Sequence, residues 1–350
     1  MRSTTQELQR FGYRFLGPVV TAFFDSMFQA KNKEGSDRGL FFLAREGYFL
    51  KQLYVQYCAQ KGCGDVNLGE YLLCSRAFLF KLALTDEALI PLTLQHHYKG
   101  TLGDFICRRY GFNGTDINRI IKDLPHLSKA LKSEVKLPSQ AAQVGRRVIE
   151  VASLFQDELD HKKELYLCYL DTIGFNVDEL SVVDIGFSGT IQTLLSALTG
   201  RKIAGHYMVT TEKAINTESC TFYGHFSSNQ AFGGGYALLD RSLYLESMLT
   251  APHGQVIDIF QVNSDIQFAY AGKTQAQHNF EILEQVAQGA EQYMADVLPE
   301  RLQLTAQEVP NYYASLIKDP SLFPDAVRSI LEVDDHISGF GILNPVKLFG

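Results

Sequence analysis

The sequence predicts an α/β fold, a mostly parallel sheet with helices on both faces. Three observations carry this. Apolar runs too short for helices recur at 39–44, 70–74, 180–184 and 202–210, the composition of strands buried on both sides. Stretches with helical spacing follow the first three, and strand–helix alternation requires crossovers between parallel strands. Polar residues gather where these runs end: Arg45-Glu46-Gly47, Ser75-Arg76, and Asp184 through Thr190. In such sheets ligands bind beyond the carboxyl ends of the strands. The expectation is a single Rossmann-like domain over 1–350, with a helical insertion at 79–177 and a mostly helical C-terminal extension at 276–350.

Residues 4–31 place Leu8, Phe11, Phe15, Val19, Phe23 and Met27 three to four apart, an amphipathic helix that Gly17-Pro18 should kink or split. Gly35-Ser36-Asp37 reads as a turn before the first strand. After Gly47 a helix presents Phe49, Leu50, Leu53 and Tyr57 on one face. The span 79–177 is helical and loop-like, with a helix start capped by Thr85 or Asp86. Its apolar positions recur at Ile117, Ile120, Ile121 and Leu124, then at Val148, Val151, Phe155 and Leu159. Strands resume at 180, so the span is an insertion and not an independent domain. A helix over 189–199 follows, then a strand at 202–210 and an edge strand at 221–226. Gly233-Gly234-Gly235 forms a flexible loop and 241–249 a helix. The loop at 250–254 precedes two β-like runs, 256–262 and 266–270. Residues 276–332 read as helical with a break near Pro299.

Composition narrows the function. A formal charge of −7 argues against nucleic acid or an anionic membrane surface as the main partner, though a local basic pocket for phosphate remains compatible. The 24 Phe and 17 Tyr supply core and leave tyrosines to stack on a sugar. The six cysteines form no Cys-x-x-Cys pair and read as reduced thiols of a cytoplasmic protein. No signal-peptide pattern and no 18-residue apolar run is present, so neither export nor a membrane span is expected.

The chemistry concentrates in Asp184-Ile-Gly186-Phe187-Ser188-Gly189-Thr190, which opens an apolar helix. Glycines let backbone N–H groups approach an anion, the Ser188 and Thr190 hydroxyls add donors, and the positive end of the helix dipole faces the ligand. Asp184 is placed to hold ribose hydroxyls or Mg²⁺. The competing reading is an ordinary βα turn of small residues. Two arginine-bearing strand ends beside it favour a phosphorylated ligand, since arginine grips phosphate with two N–H groups. His96-His97 lacks a third ligand at metal spacing and reads as a surface or core pair. Gly186-x-x-Gly189 is too short for a dinucleotide fingerprint, and Gly-Phe-Ser-Gly is not a nucleophile elbow.

Taken together, the stretches 41–48, 71–76 and 183–190, with Leu16-Gly-Pro18 and Leu249-Thr-Ala-Pro-His-Gly254, resemble a family encoded in bacterial polysaccharide gene clusters. Its members are often fused to, or encoded beside, a haloacid-dehalogenase-type phosphatase. The likeness spans roughly 11–260 and implies a phosphoribosyltransferase-type sheet. The implied enzyme is a glycan phosphoribosyltransferase, which moves ribose 5-phosphate from phosphoribosyl pyrophosphate (PRPP) to a glycan hydroxyl in O-antigen or capsule assembly. The acceptor is then a lipid-linked or nascent glycan at the cytoplasmic membrane face, and the phosphatase acts on the product. The Asp-x-Asp motif of that phosphatase is absent here. The central loop also resembles the PRPP loop of ordinary phosphoribosyltransferases, with Asp184 as the second acid of its pair. Val183 stands in place of the first, and Glu46 or Glu246 would supply that carboxylate.

The resemblance then gives each residue a role. Arg45, the Gly47 backbone, Ser75 and Arg76 would hold the Mg²⁺-bound pyrophosphate, with Glu46 beside them. Residues 186–190 would hold the 5-phosphate, and Asp184 the ribose hydroxyls or the metal. Attack by a sugar hydroxyl from the opposite face gives a β-ribofuranoside, with Glu246 or His253 as base. Glu246 as a solvated helix carboxylate and His253 as a structural loop histidine are the competing readings. Two rivals remain for the whole chain: a noncatalytic phosphate-ligand or scaffold module of a polysaccharide synthase complex, and a nucleotide-sugar glycosyltransferase.

Overall fold

The computed structural model describes residues 2–34, 39–63 and 67–349; the turn expected at 35–37 lies outside them. Helix α1 (Arg2–Glu34) runs unbroken through Pro18, contrary to the expected kink or split. Proline removes the N–H that would bond the carbonyl of Arg14 one turn back. The hydroxyl of Tyr312 donates to that carbonyl at 2.6 Å, so it is not left unpaired. Thr21 Oγ1 donates to the Gly17 carbonyl at 2.7 Å one residue before the proline.

The chain continues through β1 (Gly39–Leu43), α2 (Gly47–Lys61), β2 (Glu70–Leu72) and α3 (Arg76–Ala83). The span expected to be helical and loop-like also contains strands. Helix α4 (Ile90–Thr93) leads to β3 (Tyr98–Thr101), and α5 (Leu102–Tyr110), α6 (Gly114–Asp123) and α7 (Ser128–Leu131) follow. Then β4 (Glu134–Leu137) pairs antiparallel with β3, and α8 (Ala141–Leu154) and α9 (Gln156–Thr172) close the span. Asp86 caps the short 3-10 turn ahead of α4, its carboxylate accepting from the Ala88 N–H.

Strand β5 (Leu180–Asp184), α10 (Thr190–Thr199), β6 (Ile203–Thr211) and β7 (Cys220–Gln230) complete the sheet. Its order is β2-β1-β5-β6-β7, and every neighbouring pair is parallel. The chain builds outward from β1 to β2 on one side, then returns to β5 and builds the other way. The direction therefore reverses between β1 and β5, the place where such sheets open a crevice for ligands.

Alternation along β1 divides the core in two. Beyond the sheet, α11 (Ala237–Asp240) and α12 (Leu243–Leu249) replace the one helix expected over 241–249, and α13 (Gln275–His278) and α14 (Phe280–Val297) lie further along the chain. Leu40 and Phe42 pack with α1, α2 and α14, whereas Phe41 and Leu43 pack with α3, the 79–177 span and α10. A strand covered on both faces has no polar side, which is why 39–44 reads as continuous apolar sequence. The amide of Gln192 on α10 anchors that helix to the sheet by donating to the carbonyls of Ile203 and Thr221 at 2.8 and 3.0 Å. Gly205 leaves the space: a Cβ there would stand 2.0 Å from Gln192 Oε1.

Strands β8 (Val256–Val262) and β9 (Asp265–Tyr270) pair as an antiparallel hairpin. Helices α15 (Val309–Leu316) and α16 (Asp325–Arg328) follow α14. The C-terminal region is not wholly helical, because β10 (Val333–Asp335) and β11 (Gly341–Leu343) pair antiparallel before α17 (Pro345–Phe349). All six cysteines are free, and among the described residues no helix is long and apolar enough to cross a membrane.

Candidate active site

Parallel register puts the ends of β1, β2 and β5 on one rim of the sheet, with β1 in the middle. Arg45, Glu46 and Gly47 leave β1 there, Ser75 and Arg76 follow β2, and the 185–190 turn leaves β5. Arg45 and Thr190 thus share a rim across the β1–β5 boundary. The Ala44–Arg45 and Gly186–Phe187 peptides in the two central turns are both cis.

Gly47 begins α2 directly above β1, where a Cβ would meet the Phe42 carbonyl carbon at 2.5 Å. Gly189 caps α10 at φ +66, the left-handed region that glycine enters without steric cost, and its Cβ would stand 2.0 Å from the Phe222 ring. Any side chain at either position would push its helix start away from the rim.

Three carboxylates and two guanidiniums act on one another here. Burial pushes the Asp184 carboxyl well above the usual carboxylate range, and the negative charges of Glu46 and Glu246 push it further. The Ile185 N–H, which donates to Asp184 Oδ1 at 2.8 Å, and Arg76 work in the other direction. Glu246, in the first turn of α12, is raised to about 7 by burial and by Glu46, against the Ser242 hydroxyl, Arg76 and Arg45. Ser242 Oγ donates to Glu246 Oε1 at 2.9 Å. Both acids keep partial solvent access and are not sealed in the core. Among the described residues no carboxylate lies within salt-bridge distance of the Arg45 guanidinium, and Arg76 reaches only Asp335, at 3.9 Å. Two guanidiniums and three carboxylates therefore act on one another at one rim, with the Arg45 guanidinium outside any ion pair among the described residues.

Two residues expected to act on substrate are committed elsewhere. Ser75 is buried; its hydroxyl caps α3 by accepting from Phe78 N–H at 3.0 Å and donates to the Val256 carbonyl at 2.6 Å. That bond ties the β2 end to the β8–β9 hairpin and leaves no hydroxyl proton for pyrophosphate. His253 has both ring nitrogens engaged, Nδ1–H donating to the Gly254 carbonyl at 2.8 Å and Nε2 accepting from the Tyr71 hydroxyl at 2.9 Å. Burial lowers its pKa, with Arg45 and Lys273 adding to the effect. Tyr71 lies within the field of Glu46 and Arg45, so this pair stands beside the β1 turn.

The loop expected to take a phosphate is organised by β6. Ser188 Oγ meets Thr211 Oγ1 at 2.8 Å, and Thr211 N–H donates to the Phe187 carbonyl at 2.9 Å. Thr190 Oγ1 lies 3.3 Å from Nε2 of His96, a residue from the insertion. Neither Thr211 nor His96 carries a sequence signal for this place, since nothing local links positions 23 and 94 residues apart.

No family model matches the chain, and no curated protein matches it.

The residues present suit Mg²⁺ in one respect: Glu46 and Glu246 load negative charge onto Asp184, which a divalent cation would relieve. Among the described residues no group of three potential ligands is spaced to hold a metal unaided. An ion arriving with a pyrophosphate would bring its own oxygen ligands, as Mg²⁺ commonly does, with Asp184 the carboxylate to meet it.

Proposed function

We propose that this chain is a PRPP-dependent glycan phosphoribosyltransferase, transferring ribose 5-phosphate to a hydroxyl of a bacterial glycan with release of pyrophosphate. The carrying observation is the convergence at the β1–β5 boundary: on one strand an arginine turn whose guanidinium forms no ion pair among the described residues while its backbone N–H donates to Glu46 Oε2 at 3.1 Å, on the next a glycine-hydroxyl turn opening a helix, and three carboxylates beside them. A ligand with an anion at each end of a polyol needs that arrangement. The resemblance to the phosphoribosyltransferase-type loop supports the same reading, with Glu46 or Glu246 in the place of the missing first acid.

In this reading Arg45 and Arg76 hold the pyrophosphate and stabilise the charge that develops on it as the C1–O bond breaks. The turn 186–190 holds the 5-phosphate through backbone N–H groups, Ser188 and Thr190. Asp184 accepts from the ribose hydroxyls and fixes the ring between the two anion pockets, holding the reacting carbon in place. Bound Mg²⁺ would neutralise the leaving pyrophosphate. Glu246, with a pKa of about 7, takes the proton from the acceptor hydroxyl as it attacks C1 from the face opposite the leaving group. Inversion gives the β-ribofuranoside. The product keeps its 5-phosphate, so a haloacid-dehalogenase-type phosphatase is the expected next enzyme, and a lipid-linked glycan acceptor would bring the chain to the inner face of the cytoplasmic membrane.

The test is to mix the purified protein with PRPP, Mg²⁺ and a panel of glycan acceptors. A mass gain of ribose phosphate with stoichiometric pyrophosphate supports the proposal. Ligand binding without pyrophosphate release points to a scaffold role, and release of a nucleotide from a sugar nucleotide points to the other rival.

A further inference from the structure

We propose that His96 forms part of the phosphate pocket at the 186–190 turn, delivered by the insertion and held there by Arg109 as a positioning residue. The inference takes only the identity of the phosphate ester from the proposed function. His96 Nε2 lies 3.3 Å from Thr190 Oγ1, at the first residue of the ten-residue helix α10. Arg109 is fully buried on α5 and donates to the carbonyls of Thr93, His96 and His97 at 3.3, 3.4 and 3.3 Å. Its guanidinium also lies over the rings of Phe80 and Phe105, and Phe80 packs against the His96 ring.

A buried guanidinium is expensive to desolvate, and this one is only partly offset by neutral carbonyls and rings, its Nε lacking a hydrogen-bond partner. What that cost secures is the backbone at 93–97, and so the place of one imidazole beside Thr190. The charges acting on His96 are all positive: burial first, then Arg76, Arg109 and Lys213, hold the ring neutral, at a pKa of about 3. Lys213 is exposed just past β6, Arg76 comes from the β2 end and Arg109 from α5, so the cations acting on His96 come from three places in the fold. A phosphate monoester beside Thr190 would add its charge to that of Asp335, the carboxylate acting on Arg76 and Arg109, and would accept from the imidazole N–H. The insertion is then one wall of the donor site.

The experiment measures binding of ribose 5-phosphate, inorganic phosphate and pyrophosphate separately, by calorimetry, to the full chain and to His96→Ala, Arg109→Met and Arg109→Lys. His96→Ala should weaken ribose 5-phosphate and phosphate about tenfold, the loss expected for one hydrogen bond to a charged group, and pyrophosphate less than about twofold. Arg109→Met should reproduce that selective loss and Arg109→Lys recover part of it. The His96 ring ¹⁵N resonance should move on adding ribose 5-phosphate and stay still with pyrophosphate. Wild-type affinities in His96→Ala, equal loss for all three anions, or no phosphate binding by the wild type would each overturn the inference. If an Arg109 variant does not fold, the His96 arm decides. If PRPP-driven pyrophosphate release fails while the His96-dependent phosphate binding persists, the proposed function falls and this pocket stands.

Discussion

The hydroxyl of Tyr71 donates to Nε2 of His253 at 2.9 Å, while Nδ1–H of the same ring is spent on the Gly254 carbonyl. A histidine with both nitrogens occupied positions its neighbours more readily than it moves protons. His253→Asn should therefore lower transfer modestly, about tenfold or less, and leave the pH midpoint of the reaction where it was. A shifted midpoint in kcat against pH would return His253 to the role of base.

Glu246 makes the opposite prediction. Because its pKa is raised to about 7 and a base must be ionised, transfer should rise with pH through that value. Glu246→Gln should lower kcat by ~10²–10⁴-fold and flatten that limb of the profile. An unaltered profile would remove Glu246 from the chemistry.

The same shift carries a stability signature of definite sign. The folded chain holds the Glu246 proton that the unfolded chain has released, so stability should fall as pH rises from about 4.5 to about 7. Glu246→Gln should be more stable than wild type at pH 8, by on the order of 2 kcal/mol, and no more stable at pH 4. Urea titrations at the two pH values measure this directly.

Asp184→Asn and Arg45→Ala should each reduce transfer by at least ~10²-fold with circular dichroism unchanged, since in the proposed reaction each removes a group that meets the sugar or its leaving group. Ser188→Ala should act differently, raising the KM for PRPP about five- to tenfold with kcat little altered, because in the proposed complex it loses a ground-state phosphate contact. An unchanged KM would take Ser188 out of the 5-phosphate pocket.

Away from the site, Tyr312→Phe should cost about 0.5 kcal/mol by leaving the exposed Arg14 carbonyl to water. In a Pro18→Ala background the cost should shrink, since the substituted alanine supplies the helical N–H itself. A double-mutant cycle on chemical denaturation gives the coupling.

The strands were legible because burial on both faces writes itself as an unbroken apolar run, as at 39–44. The rim was legible for a related reason: parallel strands put their carboxyl ends on one side, so Arg45, Arg76 and Asp184 had to meet there once the sheet was parallel. Pro18 gives no local sign that the helix continues, because the carbonyl it leaves without a helical donor is met by Tyr312, 298 residues from Arg14 in the chain. The β3–β4 and β10–β11 ladders were missed because strands of three or four residues carry too little alternation to stand out from loop.

The sequence by itself determined the α/β class, the parallel sheet and the strand ends that carry polar residues, since all three follow from hydrophobic period and local turn chemistry. Only the tertiary structure decided the strand order that opens the crevice between β1 and β5, the gathering of Glu46, Glu246 and Asp184, the withdrawal of Ser75 and His253 into the framework, and the arrival of His96 at Thr190. Those depend on packing between segments far apart in the chain, where the free energy of a contact comes from burial and not from any neighbouring residue.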